Sequence, residues 1–248
     1  MSARDTSMGA PQPDDSQTPS GKAEMVRTMF TRIAGRYDLM NSLMTGGRHH
    51  AWRLVAAREA VSAPLGPVLD LATGTADLAL AIRALDPGRT VIGADFAEGM
   101  LRAAVVKPAV RVARVPLLGA DALALPFRDR AFAAVTSAFL LRNLEDLAAG
   151  LAEMRRVTRP GGRVVALEIT RPALPGWSQV FGLYFHRVVP AVGALVARDR
   201  QAYSYLPDSV DRFLTAPELS RLMGTLGFRD VRCRRLGLGT IAVHTAVV

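Results

Sequence analysis

The run Val68-Leu69-Asp70-Leu71-Ala72-Thr73-Gly74-Thr75-Ala76-Asp77-Leu78 decides the fold. An apolar strand carrying one acid ends in a turn of small residues, and a helical pattern opens directly behind it. Small side chains let backbone approach a ligand, and Gly74 can take a positive φ without a Cβ clash. The spacing departs from G-x-G-x-x-G, because no second or third glycine falls where a dinucleotide fingerprint needs one. That weakens a nicotinamide or flavin reading. An ordinary tight strand-to-helix turn would look the same, so the flanking sequence has to decide.

Outward from this run, β-type stretches alternate with helical patterns. Residues Pro67–Leu71, Thr90–Ala94, Pro116–Gly119, Phe132–Ser137 and Arg163–Leu167 read as strands. Asp77–Leu85, Ala97–Val106 and Leu144–Val157 read as helices; in the last, Leu144, Leu147, Leu151, Met154 and Val157 fall at three- or four-residue intervals along one face. Such alternation implies right-handed crossovers and a doubly wound, mostly parallel α/β sheet of Rossmann-like type. Ligands then bind beyond the carboxyl ends of the strands. Ala23–Met44 and His49–Val61 are expected to be helices ahead of the sheet. Behind it come an apolar, aromatic stretch, Trp177–Tyr205, and a helix over Ala216–Leu226, with Thr215 as N-cap, Pro217 in the first turn and Gly227 as stop. Val231–Leu236 and Thr240–Val247 close the chain as an antiparallel pair. Residues 23–248 thus read as one domain. Residues 1–22, rich in Ser, Pro, Gln and Asp, read as a disordered tail.

Composition narrows the setting. The net charge is +9, and Lys22 and Lys107 are the only lysines among 31 basic residues. Nucleic acid, an anionic membrane, an anionic substrate or plain solvation would each account for that charge. Cys233 is the single cysteine, so an internal disulfide is impossible and a cysteine-based zinc site is not expected; a reducing compartment fits. The N-terminal stretch lacks the apolar centre of a secretory signal. The best candidate for a membrane span, Ala173–Ala197, is interrupted by Pro175, Gln179, His186, Arg187 and Pro190. The expected location is cytoplasmic, with peripheral contact on the inner face of the membrane left open.

Two further strand ends carry acids. Val91-Ile92-Gly93-Ala94-Asp95 places a carboxylate 25 residues after Asp70, near the offset at which an acid takes ribose hydroxyls; it would repel a phosphate. Gly119-Ala120-Asp121-Ala122 ends the next run, followed by Leu125-Pro126-Phe127. A lone acid of this kind is commonly a cap or a solvated turn residue. Three in order on successive strands are harder to dismiss.

The glycine-containing loop after an acidic strand resembles the first motif of class I methyltransferases. Tyr37-Asp38-Leu39-Met40-Asn41-Ser42-Leu43-Met44-Thr45, continuing to His49 and Trp52, resembles the N-terminal signature of the ubiquinone/menaquinone biosynthesis C-methyltransferases. Arg156-Val157-Thr158-Arg159-Pro160-Gly161-Gly162-Arg163, with Leu167-Glu168-Ile169-Thr170, resembles their second signature. Leu125–Phe127, Leu141–Asn143, Phe185-His186, Pro190, Gly193 and Tyr203–Leu206 match further segments. The resemblance covers about Met25 to His244. It implies S-adenosylmethionine as cofactor, held by Asp70, Gly74, Thr75, Asp95, Asp121 and Ala122, with Asp121 and a backbone amide meeting the adenine. It implies a prenylated demethylmenaquinol, or a related quinol, as acceptor, methylated at a vacant ring carbon. Tyr37, Asn41 and His49 would cover the acceptor, although Tyr37 could equally be a core aromatic.

Arg142 is the preferred polar group for the chemistry, orienting a water or stabilising a developing phenolate, with Asn143 in support. Its bland alternative is a structural ion pair with Asp77 or Asp146. Arginine stays protonated, so it is no literal base. No metal is expected, since adjacent His49 and His50 do not share a helix face. Thr45, Thr170 and Arg159 depart from the family pattern but keep hydroxyl or charge. Ala76 and Leu140 each replace a glycine of the family pattern, and a leucine at 140 could narrow or reshape the acceptor pocket.

Phosphatidylethanolamine N-methylation is the nearest rival activity, and a catalytically inactive S-adenosylmethionine-binding scaffold of a quinone-biosynthetic complex is the rival of another class. A nucleic-acid partner is not expected. There is no Pro-Cys nucleophile and no Asp/Asn-Pro-Pro-Tyr/Phe run, and the arginines are scattered. Homodimer formation is left open.

Overall fold

Three helices lead into the sheet: α1 (Gly21–Ile33), α2 (Tyr37–Thr45) and α3 (Arg48–Val61). The computed structural model describes residues 21–172, 174, 176–197 and 199–248. The expected tail lies outside these residues except for Gly21 and Lys22, which open α1. The single helix expected over Ala23–Met44 is broken by a 3₁₀ turn at Ala34–Arg36, where Gly35 weakens the helix and Arg36 leaves helical geometry at ψ 4°.

The alternation follows in the expected order: β1 (Val68–Leu71), α4 (Asp77–Leu85), β2 (Val91–Asp95), α5 (Glu98–Val105), α6 (Pro108–Ala113), β3 (Leu117–Gly119), β4 (Phe132–Ala138), α7 (Leu147–Val157) and β5 (Thr158–Ile169). Helix α7 starts three residues later than its apolar spacing suggests. Leu141–Asn143 forms a 3₁₀ turn, Leu144 is extended, and the Asp146 carboxylate caps the helix by accepting from the Ala149 amide at 2.8 Å.

Among the described residues the strands form one seven-stranded sheet in the order β3-β2-β1-β4-β5-β7-β6, with β6 (Arg229–Leu236) and β7 (Ile241–Val247) as its last members. Strands β1 to β5 pair in parallel, and β7 runs antiparallel between β5 and β6. The order reverses between β1 and β4, which opens a crevice at the carboxyl end of β1. Alternate residues of β1 feed opposite cores: Val68 packs with Ala56, Ile82 and Val165, whereas Leu69 and Leu71 pack with Leu151, Met154 and Met223.

Between β5 and α11 (Ala216–Thr225) the chain builds α8 (Trp177–Leu183), a π-helical segment Tyr184–Val188, α9 (Val189–Val192), a second π segment Gly193–Ala197 and α10 (Arg200–Arg212). Gln179, His186, Arg187 and Pro190 therefore do not break the helical run, and Pro175 lies outside the described residues. Pro190, which has no N–H to give, falls in the first turn of α9, directly behind a wide π turn. Trp177–Val196 is long and apolar enough to cross a membrane by length and composition, and 22% of it is buried. A third apolar cluster joins this segment to the N-terminal helices through Met29, Ile33, Met40, Phe185, Val189 and Tyr203. Helix α11 begins as expected at Thr215, whose amide donates to Glu218 Oε2 at 2.7 Å.

Candidate active site

The carboxyl end of β1 shapes the first cavity wall. Asp70 is buried and accepts from the hydroxyls of Thr73 (2.6 Å) and Thr136 (2.8 Å). Burial pushes its carboxyl up to about 6, although both hydroxyls favour the charged form. Asp70 thereby ties the loop to β4. Gly74 takes φ +57°, and the loop also holds Ala72 and Ala76 in left-handed geometry, at φ +52° and +69°. The amide of Gly74 donates to Asp95 Oδ2 at 2.7 Å, and the Ala97 amide to Oδ1 at 2.8 Å.

Gly74, Asp95 and Ala122 line a cavity of about 80 Å³ with Phe96, Met100 and Asn143. Asp121 does not line it; its carboxylate accepts from the Leu123 amide at 2.9 Å. An apolar slot with a buried carboxylate at one end fits an adenosine, whose flat base needs apolar walls and whose ribose diol needs an acceptor.

Thr75 and Asp70 face a smaller recess next to this one, which Arg53 of α3 also enters. Arg53 is 5% exposed, and its Nη1 donates to His49 Nδ1 at 2.5 Å. Arginine cannot accept, so His49 Nδ1 must, which leaves the ring proton on Nε2 to donate to Ser42 Oγ at 3.1 Å. Burial, followed by the Arg53 charge, lowers the His49 pKa to about 4. The Thr75 hydroxyl donates to Asp38 Oδ1 at 2.6 Å, and Lys107 bridges Asp38 (2.6 Å) and Asp77 (2.8 Å). Helix α2 is thus fastened to the cofactor loop.

His49, His50 and Asp77 hold donor atoms within 4.8 Å of one another. Contrary to the expectation that neighbouring helix residues point apart, the two rings approach to 3.9 Å between centroids. Both His49 nitrogens are bonded and Asp77 Oδ1 is paired with Lys107, whereas Asp77 Oδ2 is buried without a hydrogen-bond partner.

The main cavity, about 400 Å³, takes Tyr37, Asn41, His49 and Arg142 into a lining dominated by aromatic and aliphatic side chains. Phe30, Tyr37 and Phe139 line both it and the smaller cofactor cavity, and Tyr37 also borders the Arg53 recess. Tyr37 therefore stands where the three spaces meet.

Arg142 pairs with neither Asp77 nor Asp146. Its Nη1 donates to Glu168 Oε2 at 2.9 Å and to the Phe139 carbonyl at 2.8 Å, and the Leu141 amide donates to Glu168 Oε1 at 2.6 Å. Its Nε is buried without a partner. Burial raises the Glu168 pKa, against the pull of the Arg142 charge. Asn143 lies on the cofactor side, with its amide donating to Phe139 O at 3.1 Å and its carbonyl accepting from Tyr205 at 3.3 Å. Leu140 lines the smaller cavity and not the large one. Arg53, Glu168 and Tyr203 went unassigned on sequence. The only trace of Glu168 was its place in the second signature.

The ubiE/COQ5 methyltransferase family model matches residues 18–248. The chain belongs to this family. It is 45% identical over 216 residues to a demethylmenaquinone methyltransferase of Thermus thermophilus, covering 87% of this chain and 98% of that one. It is 41% identical to another from Roseiflexus castenholzii, over 92% and 95% of the two chains. In fold it resembles a SAM-dependent methyltransferase of Thermotoga maritima, with TM-score 0.61, 18% identity, and 89% and 98% of the chains covered. This ubiE/COQ5-family protein is an S-adenosylmethionine-dependent methyltransferase, and the cavity lined by Gly74 and Asp95 sits at the strand reversal where such a sheet binds ligands.

Proposed function

We propose that this methyltransferase transfers a methyl group to the ring carbon of a prenylated demethylmenaquinol or related quinol. The observation that carries the reading is the large apolar cavity sharing Tyr37, Phe30 and Phe139 with the cofactor cavity. A ring with a polyprenyl tail needs apolar volume of that kind, opening directly onto the methyl donor. The relatives named above as demethylmenaquinone methyltransferases support the same substrate.

S-adenosylmethionine supplies an electrophilic methyl on a sulfonium. The chain's own work is to orient the ring, exclude water and stabilise the charge that makes carbon nucleophilic. Loss of a phenolic proton feeds electron density into the ortho carbon, and Arg142 is the cation lining the cavity best held to favour that phenolate. Glu168 and the Phe139 carbonyl fix its guanidinium at one end and leave Nε for the substrate. Water or bulk buffer takes the phenolic proton and, once the carbon is methylated, the ring C–H proton, whose loss with reprotonation of the oxygen restores the quinol; arginine takes neither. Alignment in a dry cavity lowers the barrier by ~7–11 kcal/mol when geometry is near-attack.

A second part of the proposal concerns where the acceptor enters. Leu238 lines the large cavity yet is 64% exposed, and Val180, Leu183, Val188 and Leu195 of the segment behind Trp177 are also exposed. Arg187, beside Val188, and Arg235, in β6 three residues ahead of Leu238, are exposed as well. Apolar side chains flanked by arginines suit a peripheral contact with an anionic bilayer, on the cytoplasmic face, through which a prenylated quinol would pass. Flotation with vesicles of phosphatidylcholine, with and without phosphatidylglycerol, tests this. Anionic vesicles should carry the protein at low salt and release it at high salt, and Leu183→Glu with Leu195→Glu should abolish flotation. Equal recovery without lipid would overturn the contact.

The activity is tested by incorporation of labelled methyl into a demethylmenaquinol with reductant present and absent, and by mass spectrometry of the quinone pool in a deletion strain. Transfer to the reduced ring and a pool short by one methyl are expected. Methylation of phosphatidylethanolamine instead would overturn the quinol reading, and cofactor binding without transfer would leave a scaffold.

A further inference from the structure

Four polar atoms of residues that line the large cavity are buried without partners: Asn41 Nδ2, Arg142 Nε, Trp177 Nε1 and the Tyr203 hydroxyl. All four can donate hydrogen bonds. Tyr203 is the unexpected member. It is 4% exposed on α10, and the neighbouring tyrosines spend their hydroxyls elsewhere, Tyr184 on the Met44 carbonyl at 2.6 Å and Tyr205 on Asn143. A buried hydroxyl with nothing to bond is costly, and such groups in a folded protein call for an explanation.

The ring of Tyr203 is held in place. Gly193, in the second π segment, lies flat against it, and a Cβ at that position would collide with the ring. Single π turns inside helices recur at functional sites because they re-aim side chains. Here the turn supplies the gap that Tyr203 fills. Burial pushes Tyr203 well up from its ordinary value, and the Tyr37 phenol and the Asp199 carboxylate add to the shift. Tyr203 therefore stays a neutral donor in the lining of the cavity that Tyr37 also borders.

We propose that Tyr203 binds one ring oxygen of the acceptor while Arg142 binds the other, so that the ring is fixed by both of its oxygens. This rests on the quinol reading given above. A 1,4-diol brings two oxygens into a cavity whose free polar atoms are donors. The oxygen that loses its proton belongs with the cation, Arg142, because an adjacent positive charge favours the anion. The oxygen that keeps its proton falls to the neutral Tyr203, which gives a hydrogen bond and carries no charge to the reaction.

The test pairs two ligands with one substitution. Calorimetry under reducing, oxygen-free conditions compares 1,4-naphthalenediol with 1-naphthol, which differ by a single hydroxyl. Wild-type protein should bind the diol about tenfold more tightly, the equivalent of one well-made hydrogen bond. Tyr203→Phe keeps the ring against Gly193 and should erase that preference, leaving 1-naphthol and S-adenosylmethionine affinities unchanged. Turnover of a prenylated demethylmenaquinol at limiting concentration should fall by about the same factor. A folded Tyr203→Phe protein that keeps its diol preference would overturn the assignment, as would a wild type that methylates the quinol but binds both ligands alike. A wild type that binds neither ligand and methylates no quinol would overturn the quinol reading itself.

Discussion

Arg142 and Glu168 meet at 2.9 Å where water hardly reaches, their side chains 5% and 2% exposed. The pair joins the 3₁₀ turn after β4 to the end of β5, and the Leu141 amide shares the same carboxylate. Removing one partner of such a pair leaves the other charged, buried and alone. That loss costs far more than the pair itself contributes.

Glu168→Gln should therefore lower unfolding stability by about 3 kcal/mol. It should also lower turnover, because Arg142 is no longer aimed, while S-adenosylmethionine affinity stays near wild type. Urea unfolding and labelled-methyl transfer measure the two effects separately. Unchanged stability would show that the carboxylate is dispensable to the fold.

Asp95→Ala should weaken S-adenosylmethionine binding by roughly ten- to a hundredfold, from loss of ~1.5–3 kcal/mol of charge-assisted hydrogen bonding. The same carboxylate accepts from Gly74 and Ala97, so the loop loses an anchor too. Calorimetry on the folded variant decides; equal affinity would remove Asp95 from the cofactor site.

His49 introduces a pH dependence of known sign. Its pKa is about 4 in the folded protein against 6.5 for the free side chain. Between these values the unfolded chain binds the proton and the folded protein does not, so stability falls as pH falls from about 6.5 toward 4. Asp70, raised to about 6, acts in the opposite direction over nearly the same range. His49→Gln removes only the first effect. Thermal unfolding across this window should show the wild type losing stability relative to the variant on acidification, and parallel curves would refute it.

Leu140→Ala should weaken cofactor binding by up to about tenfold through lost apolar contact, without changing acceptor preference, because Leu140 faces the small cavity. A shift in preference among quinols at constant cofactor affinity would put the side chain back on the acceptor side.

Much of this was legible along the chain. Helix α4 begins and ends where its pattern does, and Gly74 and Asp95 meet because both follow neighbouring parallel strands. Helix α6 escaped notice because six residues behind Pro108 show too little periodicity. Helix α10 was hidden by Pro207, which it tolerates in its interior. Sequence proximity offers Asp146, and the strand order Asp77, as partners for Arg142, whereas adjacency of β4 and β5 brings up Glu168 from 26 residues away. Arg53 carries no local signal, and Tyr203 carries only its place in the segment Tyr203–Leu206, since packing is what turns both inward. Ala76 shows the reverse case: its left-handed φ explains why glycine suits that position in the family.

The aromatic wall formed by Trp177, Phe181, Tyr184, Phe185, Tyr203 and Tyr205 comes from one uninterrupted stretch of chain, and none of it lines the cofactor cavity. Substitutions along that stretch can therefore reshape the large cavity without altering any side chain that lines the smaller one, whereas a change at Phe30, Tyr37 or Phe139 reshapes both at once.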